Sequence, residues 1–131
     1  MVPRRVRNYS VLITDDDDEL RYALSEGLQV SGYRTLQARC GYEAIEVVRH
    51  ELVHVLIMDV NMPDLSGIET LEVIERILES RLPCIMMSGE ISREVIVRVM
   101  TSHIGAFLRK PLRLDRVRMT LAQLIDRYYP E

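Results

Sequence analysis

Four groups in this chain have the residue types and spacing for phosphoryl chemistry: the acidic pair Asp15-Asp16, the carboxylate Asp59, the hydroxyl Ser88 and the ammonium Lys110. Each closes or follows a short apolar run. Val11-Leu12-Ile13 leads towards the pair, Val55-Leu56-Ile57-Met58 into Asp59, Cys84-Ile85-Met86-Met87 into Ser88, and Phe107-Leu108 into Arg109-Lys110-Pro111. Short apolar runs bounded by turn formers read as buried strands, and parallel strands gather the residues just past their carboxyl ends along one sheet edge. Three carboxylates and one lysine then converge. Like charges in a cleft repel, so such a cluster persists when a cation and a balancing lysine neutralise it. The pattern predicts a Mg²⁺ site that handles phosphate.

Asp59 precedes Val60-Asn61-Met62-Pro63-Asp64-Leu65-Ser66-Gly67, a Pro- and Gly-bearing loop that leaves its carboxylate reachable. It is the candidate nucleophile, able to form an acyl phosphate once charge on the transferred oxygens is neutralised. Asp15 and Asp16 lie nearest the first strand and suit Mg²⁺, which takes one or two carboxylates, with water and phosphate completing an octahedron. A loop carbonyl such as that of Asn61 would add a ligand. Asp17, Asp18 and Glu19 read instead as a solvated helix start, where negative charge is favoured. With no His or Cys cluster beside the acids, a transition metal is not expected. Ser88 is placed to donate to a phosphoryl oxygen, Gly89 to allow close backbone approach, and Lys110 to pair first with Asp59 and then with phosphate.

The elements that must position these groups alternate five times. Strands are predicted near residues 10–14, 33–38, 54–58, 84–88 and 105–109, and helices near 18–31, 41–50, 67–80, 92–102 and 113–128. In the last helix Val117, Leu121, Leu124, Ile125 and Tyr128 form one apolar stripe. In the fourth, Val95, Ile96, Val99 and Met100 are expected to be buried and Val97 to face outward. Ser66, Ser92 and Asp115 are capping or first-turn residues, and Gly32, Gly41 and Gly105 punctuate helix ends and turns. Alternating units with right-handed crossovers give an α/β fold: an open, doubly wound, flavodoxin-like three-layer sandwich around a five-stranded parallel sheet in order 2-1-3-4-5. In that order the switch point lies between the first and third strands, whose carboxyl ends carry Asp15, Asp16 and Asp59.

The 131 residues suit one domain, with residues 9–128 as its body, 1–8 as an N-terminal tail and 129–131 as a C-terminal tail. Charged residues at 28% and hydrophobic ones at 47% exclude a disordered or membrane class. A formal charge of −3 gives no general attraction to nucleic acid, and Arg4, Arg5 and Arg7 read as a solvated start. That start lacks the apolar segment of a secretory signal, so the cytoplasm is the expected compartment. Cys40 and Cys84 show no metal-type spacing and read as reduced structural thiols.

Together the acidic pair, the Asp-x-x-Met-Pro-x-x-x-Gly loop, the hydroxyl residue and Lys-Pro closely resemble the receiver domain of two-component response regulators, from about Tyr9 to Tyr128. The resemblance implies that Asp59 accepts phosphate, Asp16 binds Mg²⁺ directly, Asp15 does so through water, and Asn61 contributes its carbonyl. It makes Ser88 the switch hydroxyl, Phe107 the switch aromatic and Lys110 the phosphate partner across a cis bond to Pro111. Asn61 and Glu90 fall where the family tunes phosphate lifetime, and both being polar, a short lifetime is expected. Ser88 stands for a commoner Thr, Gly89 for Ala, Thr14 for an apolar residue, and Phe107 lacks a hydroxyl.

The implied function is a switch. A histidine kinase or phosphotransfer protein would phosphorylate Asp59, and the fourth helix, fifth strand and fifth helix would then bind a downstream effector domain or protein, or a second copy as a homodimer. Catalysis beyond its own phosphorylation and dephosphorylation is not expected. Phosphoester turnover would want a second acid where Asn61 stands. The alternative is a phosphate-independent pseudo-receiver scaffold, against which the intact acid, hydroxyl and lysine set argues. Residues 129–131 add no effector domain, so direct nucleic-acid or membrane binding is not expected of this chain.

Overall fold

Five strands alternate with five helices in the computed structural model, which describes residues 9–90, 92–102 and 104–130. The basic residues Arg4, Arg5 and Arg7 lie outside those described. The strands are β1 (Ser10–Thr14), β2 (Arg34–Ala38), β3 (Val55–Asp59), β4 (Cys84–Ser88) and β5 (Ala106–Arg109). The helices are α1 (Asp18–Val30), α2 (Gly41–His50), α3 (Gly67–Leu78), α4 (Arg93–Thr101) and α5 (Leu114–Tyr128). All strand pairs are parallel, in the order β2-β1-β3-β4-β5 expected from the alternation.

Side chains alternate across a strand, so each central strand feeds two cores. Leu12, Leu56, Met58 and Met86 face Ala44 and Val48 of α2 and Leu71 and Ile74 of α3. Val11, Ile13, Ile57 and Met87 face Leu24 and Leu28 of α1 and Val117 and Leu121 of α5. β1, β3 and β4 are buried along their whole length. Burying a large aliphatic side chain stabilises by roughly 1.5–3 kcal/mol. The two-sided core therefore fixes the central strands, whose carboxyl ends carry the chemistry.

Capping sets the helix starts. The Ser66 hydroxyl accepts the Glu69 amide at 3.1 Å while the Glu69 carboxylate accepts the Ser66 amide at 3.0 Å, a reciprocal pair that starts α3. Ser92 caps α4 through the Val95 amide at 3.1 Å. α3 ends two residues before the predicted boundary because Glu79 adopts the left-handed region at φ 54°. Asp115 lies in the first turn of α5, behind Arg113 at the cap position.

The predicted burial of α4 needs correction. Val95 is buried and Val99 partly so, packed with Ile104 and Phe107, but Ile96 and Met100 are 43% and 79% exposed, alongside Val97 at 52%. Positions 95 and 99 occupy one row of the helix, whereas 96 and 100 lie about 100° round it. Arg98 fixes that rotation by donating from Nη2 to the Ser66 hydroxyl at 3.0 Å.

Thr14 is fully buried, and its hydroxyl has no hydrogen-bond partner among the described residues. An unsatisfied buried hydroxyl costs about 1–3 kcal/mol. Thr14→Val keeps the shape, so thermal or denaturant unfolding should show a gain of about 1 kcal/mol; a loss would mean that the hydroxyl has a partner.

At the opposite end of the sheet the His54 ring packs edge to face with Tyr9 and Tyr129 beside a concavity also lined by Val53 and Leu78. The Tyr129 hydroxyl donates to the His54 carbonyl at 2.7 Å, tying α5 to the segment before β3. This concavity is remote from the acids.

Candidate functional site

The registers bring the predicted residues to one edge. Asp15 and Asp16 leave β1, and Asp59 closes β3 beside it, with Thr14 opposite Met58. Asp59 in turn lies opposite Met87, so Ser88 closes β4 one residue on and pairs with Arg109, the residue before Lys110. Asp15 is fully buried, Asp59 is 7% exposed and Asp16 faces solvent.

Lys110 bridges the two buried carboxylates. Its Nζ donates to Asp15 Oδ2 at 2.7 Å and to Asp59 Oδ2 at 2.6 Å. The remaining carboxylate oxygens take backbone donors: Asp17 N–H to Asp15 Oδ1 at 2.8 Å, and Asn61 N–H to Asp59 Oδ1 at 2.9 Å. Burial pushes the Asp59 pKa up from its ordinary value, against the pull of Lys110 and the Asn61 amide. Burial opposes the Lys110 charge, yet the bonds to Asp15 and Asp59 raise its pKa. The ammonium therefore stays charged.

One ligand atom from each of Asp15, Asp16 and Asp59 lies within 4.8 Å of the others. All are hard oxygen donors, so the set fits Mg²⁺. The site offers a charge-compensated carboxylate beside a cation position.

Ser88 is fully buried but turned towards its own loop. Its hydroxyl donates to the Glu90 carbonyl at 2.8 Å and accepts the Glu90 amide at 3.1 Å. Glu90 and Asn61 are exposed, Asn61 next to Asp59 and Glu90 in the loop after Ser88, and Phe107 is half-buried in β5 against the α4 core. The Lys110-Pro111 bond is cis. Close approach at Gly89 is not required, because a Cβ there would meet only Lys110 side-chain carbons, at an ordinary 3.7 and 3.9 Å.

Three further residues shape the site: Gly67, which closes the Asp-x-x-Met-Pro-x-x-x-Gly motif, and Arg21 and Asp64, to which the sequence assigned no role. Gly67 begins α3 so close under Asp59 that a Cβ would overlap the Asp59 carbonyl oxygen. Arg21 is buried beneath the acidic loop, and its place in the stripe Arg21-Leu24-Leu28 was a readable signal. Asp64 anchors the loop after Asp59, its carboxylate accepting the Gly41 and Tyr42 amides at 3.0 and 2.8 Å. It thereby caps α2 from a distant loop, which sequence spacing does not signal.

Slight burial would raise the Asp64 pKa, but the Tyr42 and Gly41 amides hold it down at about 2, against an ordinary 3.8. A depressed pKa means stability that is present above about pH 4 and lost as pH falls through about 2. The group is exposed, so the contribution is that of a cap, about 1 kcal/mol. Asp64→Ala should unfold earlier by that amount at pH 7 and match the parent near pH 2. An equal deficit at both pH values would contradict the assignment.

The model of the response regulator receiver domain matches residues 11–122. This chain belongs to that family. The receiver chain is 31% identical over 115 residues to the transcriptional regulatory protein ZraR of Klebsiella oxytoca, covering 88% of this chain and 26% of that protein. It thus spans about a quarter of the relative's length. Sporulation initiation phosphotransferase F of Bacillus subtilis is 27% identical, with 94% of this chain and 95% of that one covered. Among solved structures, the Vibrio cholerae chemotaxis protein CheY4 superposes with a TM-score of 0.82 at 28% identity, covering 89% of the receiver chain and 98% of its own. A receiver domain protein from Methanospirillum hungatei reaches 0.85 at 23% identity over 92% and 95%, a likeness of fold. Among the described residues of the receiver no helix is long and apolar enough to cross a membrane.

Proposed function

We propose that this receiver is a phosphorylation-operated switch, with Asp59 taking a phosphoryl group from a histidine-phosphorylated kinase or phosphotransfer protein in the cytoplasm. The observation that carries the reading is Lys110 bridging Asp15 and Asp59 beside a cluster of hard oxygen ligands. An Asp59 carboxylate oxygen attacks phosphorus, the O–P bond forms, and the P–N bond breaks with its electron pair leaving on the imidazole nitrogen. Mg²⁺, when bound, neutralises charge on the transferred oxygens. Asp16, Asp15, Asp59 and the Asn61 carbonyl would hold it.

Lys110 balances Asp59 before transfer and pairs with the phosphoryl group after it. The new group brings a charge of about −1.5 to −2 and strong acceptors. To donate to it, Ser88 gives up its bonds to Glu90, which pulls on the segment leading to α4. That helix is already tied to the loop after Asp59 through Arg98 and Ser66. Its exposed Ile96, Val97 and Met100 would form the output surface with β5, Phe107 and α5, open to an effector or a second copy. Coupling of this kind is typically about 1–3 kcal/mol, a roughly 5- to 150-fold change in affinity. Asn61 and Glu90, polar and exposed in the loops after Asp59 and Ser88, would shorten the phosphate lifetime.

Hydrogen exchange with and without beryllofluoride, a mimic of the phosphoryl group, tests the switch. Altered exchange in residues 88–102 and in β5, requiring Mg²⁺, is expected. Exchange unchanged at saturating mimic would favour the phosphate-independent scaffold.

A further inference from the structure

We propose that Arg21 is a positioning residue for the Mg²⁺ site: its buried guanidinium locks the backbone of Asp15 so that the acidic pair is preorganised for the ion. The inference rests on the metal-site reading above. Arg21 is only 3% exposed, on the buried helix face it shares with Leu24, Ser25 and Leu28. A buried guanidinium needs its donors filled and its charge compensated. Nη1 donates to the Asp15 carbonyl at 2.8 Å, Nε to Gln37 Oε1 at 3.0 Å and Nη2 to Asp18 Oδ1 at 2.6 Å. One planar fork therefore joins the start of α1, the end of β1 and the end of β2.

Asp15 is consequently held at every polar atom. Its amide donates to the Ala38 carbonyl at 3.1 Å, its carbonyl accepts Arg21, and its two carboxylate oxygens accept Asp17 N–H and Lys110. Lys110 fixes the carboxylate from the β5 side and Arg21 fixes the main chain from the α1 side. Electrostatics alone gives Arg21 the opposite role, since a positive charge under the pair repels a divalent cation. Charge and position thus predict opposite signs for its removal.

Calorimetric titration of the full chain with Mg²⁺ separates them, using Arg21→Lys, which keeps the charge, Arg21→Met, which removes it, and Gln37→Ala, which frees one side of the fork at an exposed position. Removing a residue that orients ligands typically weakens metal binding by about 10–100-fold. Arg21→Met should fall in that range and Arg21→Lys near its lower end, about 10-fold, with Gln37→Ala a few-fold weaker than the parent. At saturating Mg²⁺ the phosphorylation rate of Arg21→Lys should return to near the parent value, because Arg21 touches no reacting atom. Binding that is unchanged or tighter in folded Arg21→Met or Arg21→Lys overturns the proposal. So does unfolding of both Arg21 variants while Gln37→Ala binds as the parent does, which makes Arg21 structural. A parent chain that binds no Mg²⁺ overturns the metal-site reading itself, a result distinct from the other two.

Discussion

Asp59→Asn should take up no phosphoryl group from any donor, and should bind Mg²⁺ more weakly, because one anionic oxygen ligand becomes a neutral amide. The amide nitrogen cannot serve as the nucleophile, and the anion that Lys110 bridges is lost from one side of its pair. The fold should survive, because Asn matches Asp in size and Lys110 keeps its 2.7 Å partner Asp15. Burial already disfavours the ionised form of Asp59, so neutralising it removes a cost as well as an ion pair. Intact mass after incubation with a phosphodonor reads the first effect and calorimetry with Mg²⁺ the second. A variant that still carries one phosphate would move the acceptor elsewhere.

Gly67→Ala is expected to damage stability and site together. The added methyl would collide with the Asp59 carbonyl oxygen and lie 3.0 Å from Met86 Sδ. The sulfur can give, but the carbonyl is main chain at the end of a fully buried strand. The Gly67 amide is also bound to the Val60 carbonyl at 2.8 Å, so α3 cannot retreat without losing that bond. Overpacking of this kind costs typically 1–3 kcal/mol, occasionally more, and about 3 kcal/mol is expected here because backbone must move. Denaturant unfolding gives that number. A phosphorylation rate lowered more than the fraction folded explains would show that Asp59 itself has shifted. A variant as stable as the parent would contradict the close approach.

Much of this was legible in the sequence because the decisive signals are local. The runs at 11–13, 55–58 and 84–87 are buried on both faces, and each leads into a charged or hydroxyl residue near its carboxyl end, so strand order and site arise from one pattern. α4 resisted because apolar residues at 95, 96, 97, 99 and 100 surround most of the helix, and periodicity cannot choose a face; Arg98 and Ser66 make that choice across 32 residues. Asp64 was passed over for the same reason, since it caps a helix 22 and 23 residues away through contacts that exist once the loops are packed. Arg21 follows a run of acids and was assigned no role, although its spacing from Leu24 and Leu28 placed it on the buried stripe. The resting direction of Ser88 belongs to its own loop and has no sequence signature.

The central claim is that Asp59 forms an acyl phosphate in a site completed by Mg²⁺. Intact-mass measurement after incubation with acetyl phosphate, with and without Mg²⁺, followed by mapping of the modified peptide, tests it most directly. The account predicts a single phosphoryl adduct on Asp59 that requires Mg²⁺ and is removed by hydroxylamine, as an acyl phosphate must be. No adduct under conditions that preserve acyl phosphates, or one on another residue or independent of Mg²⁺, would contradict it.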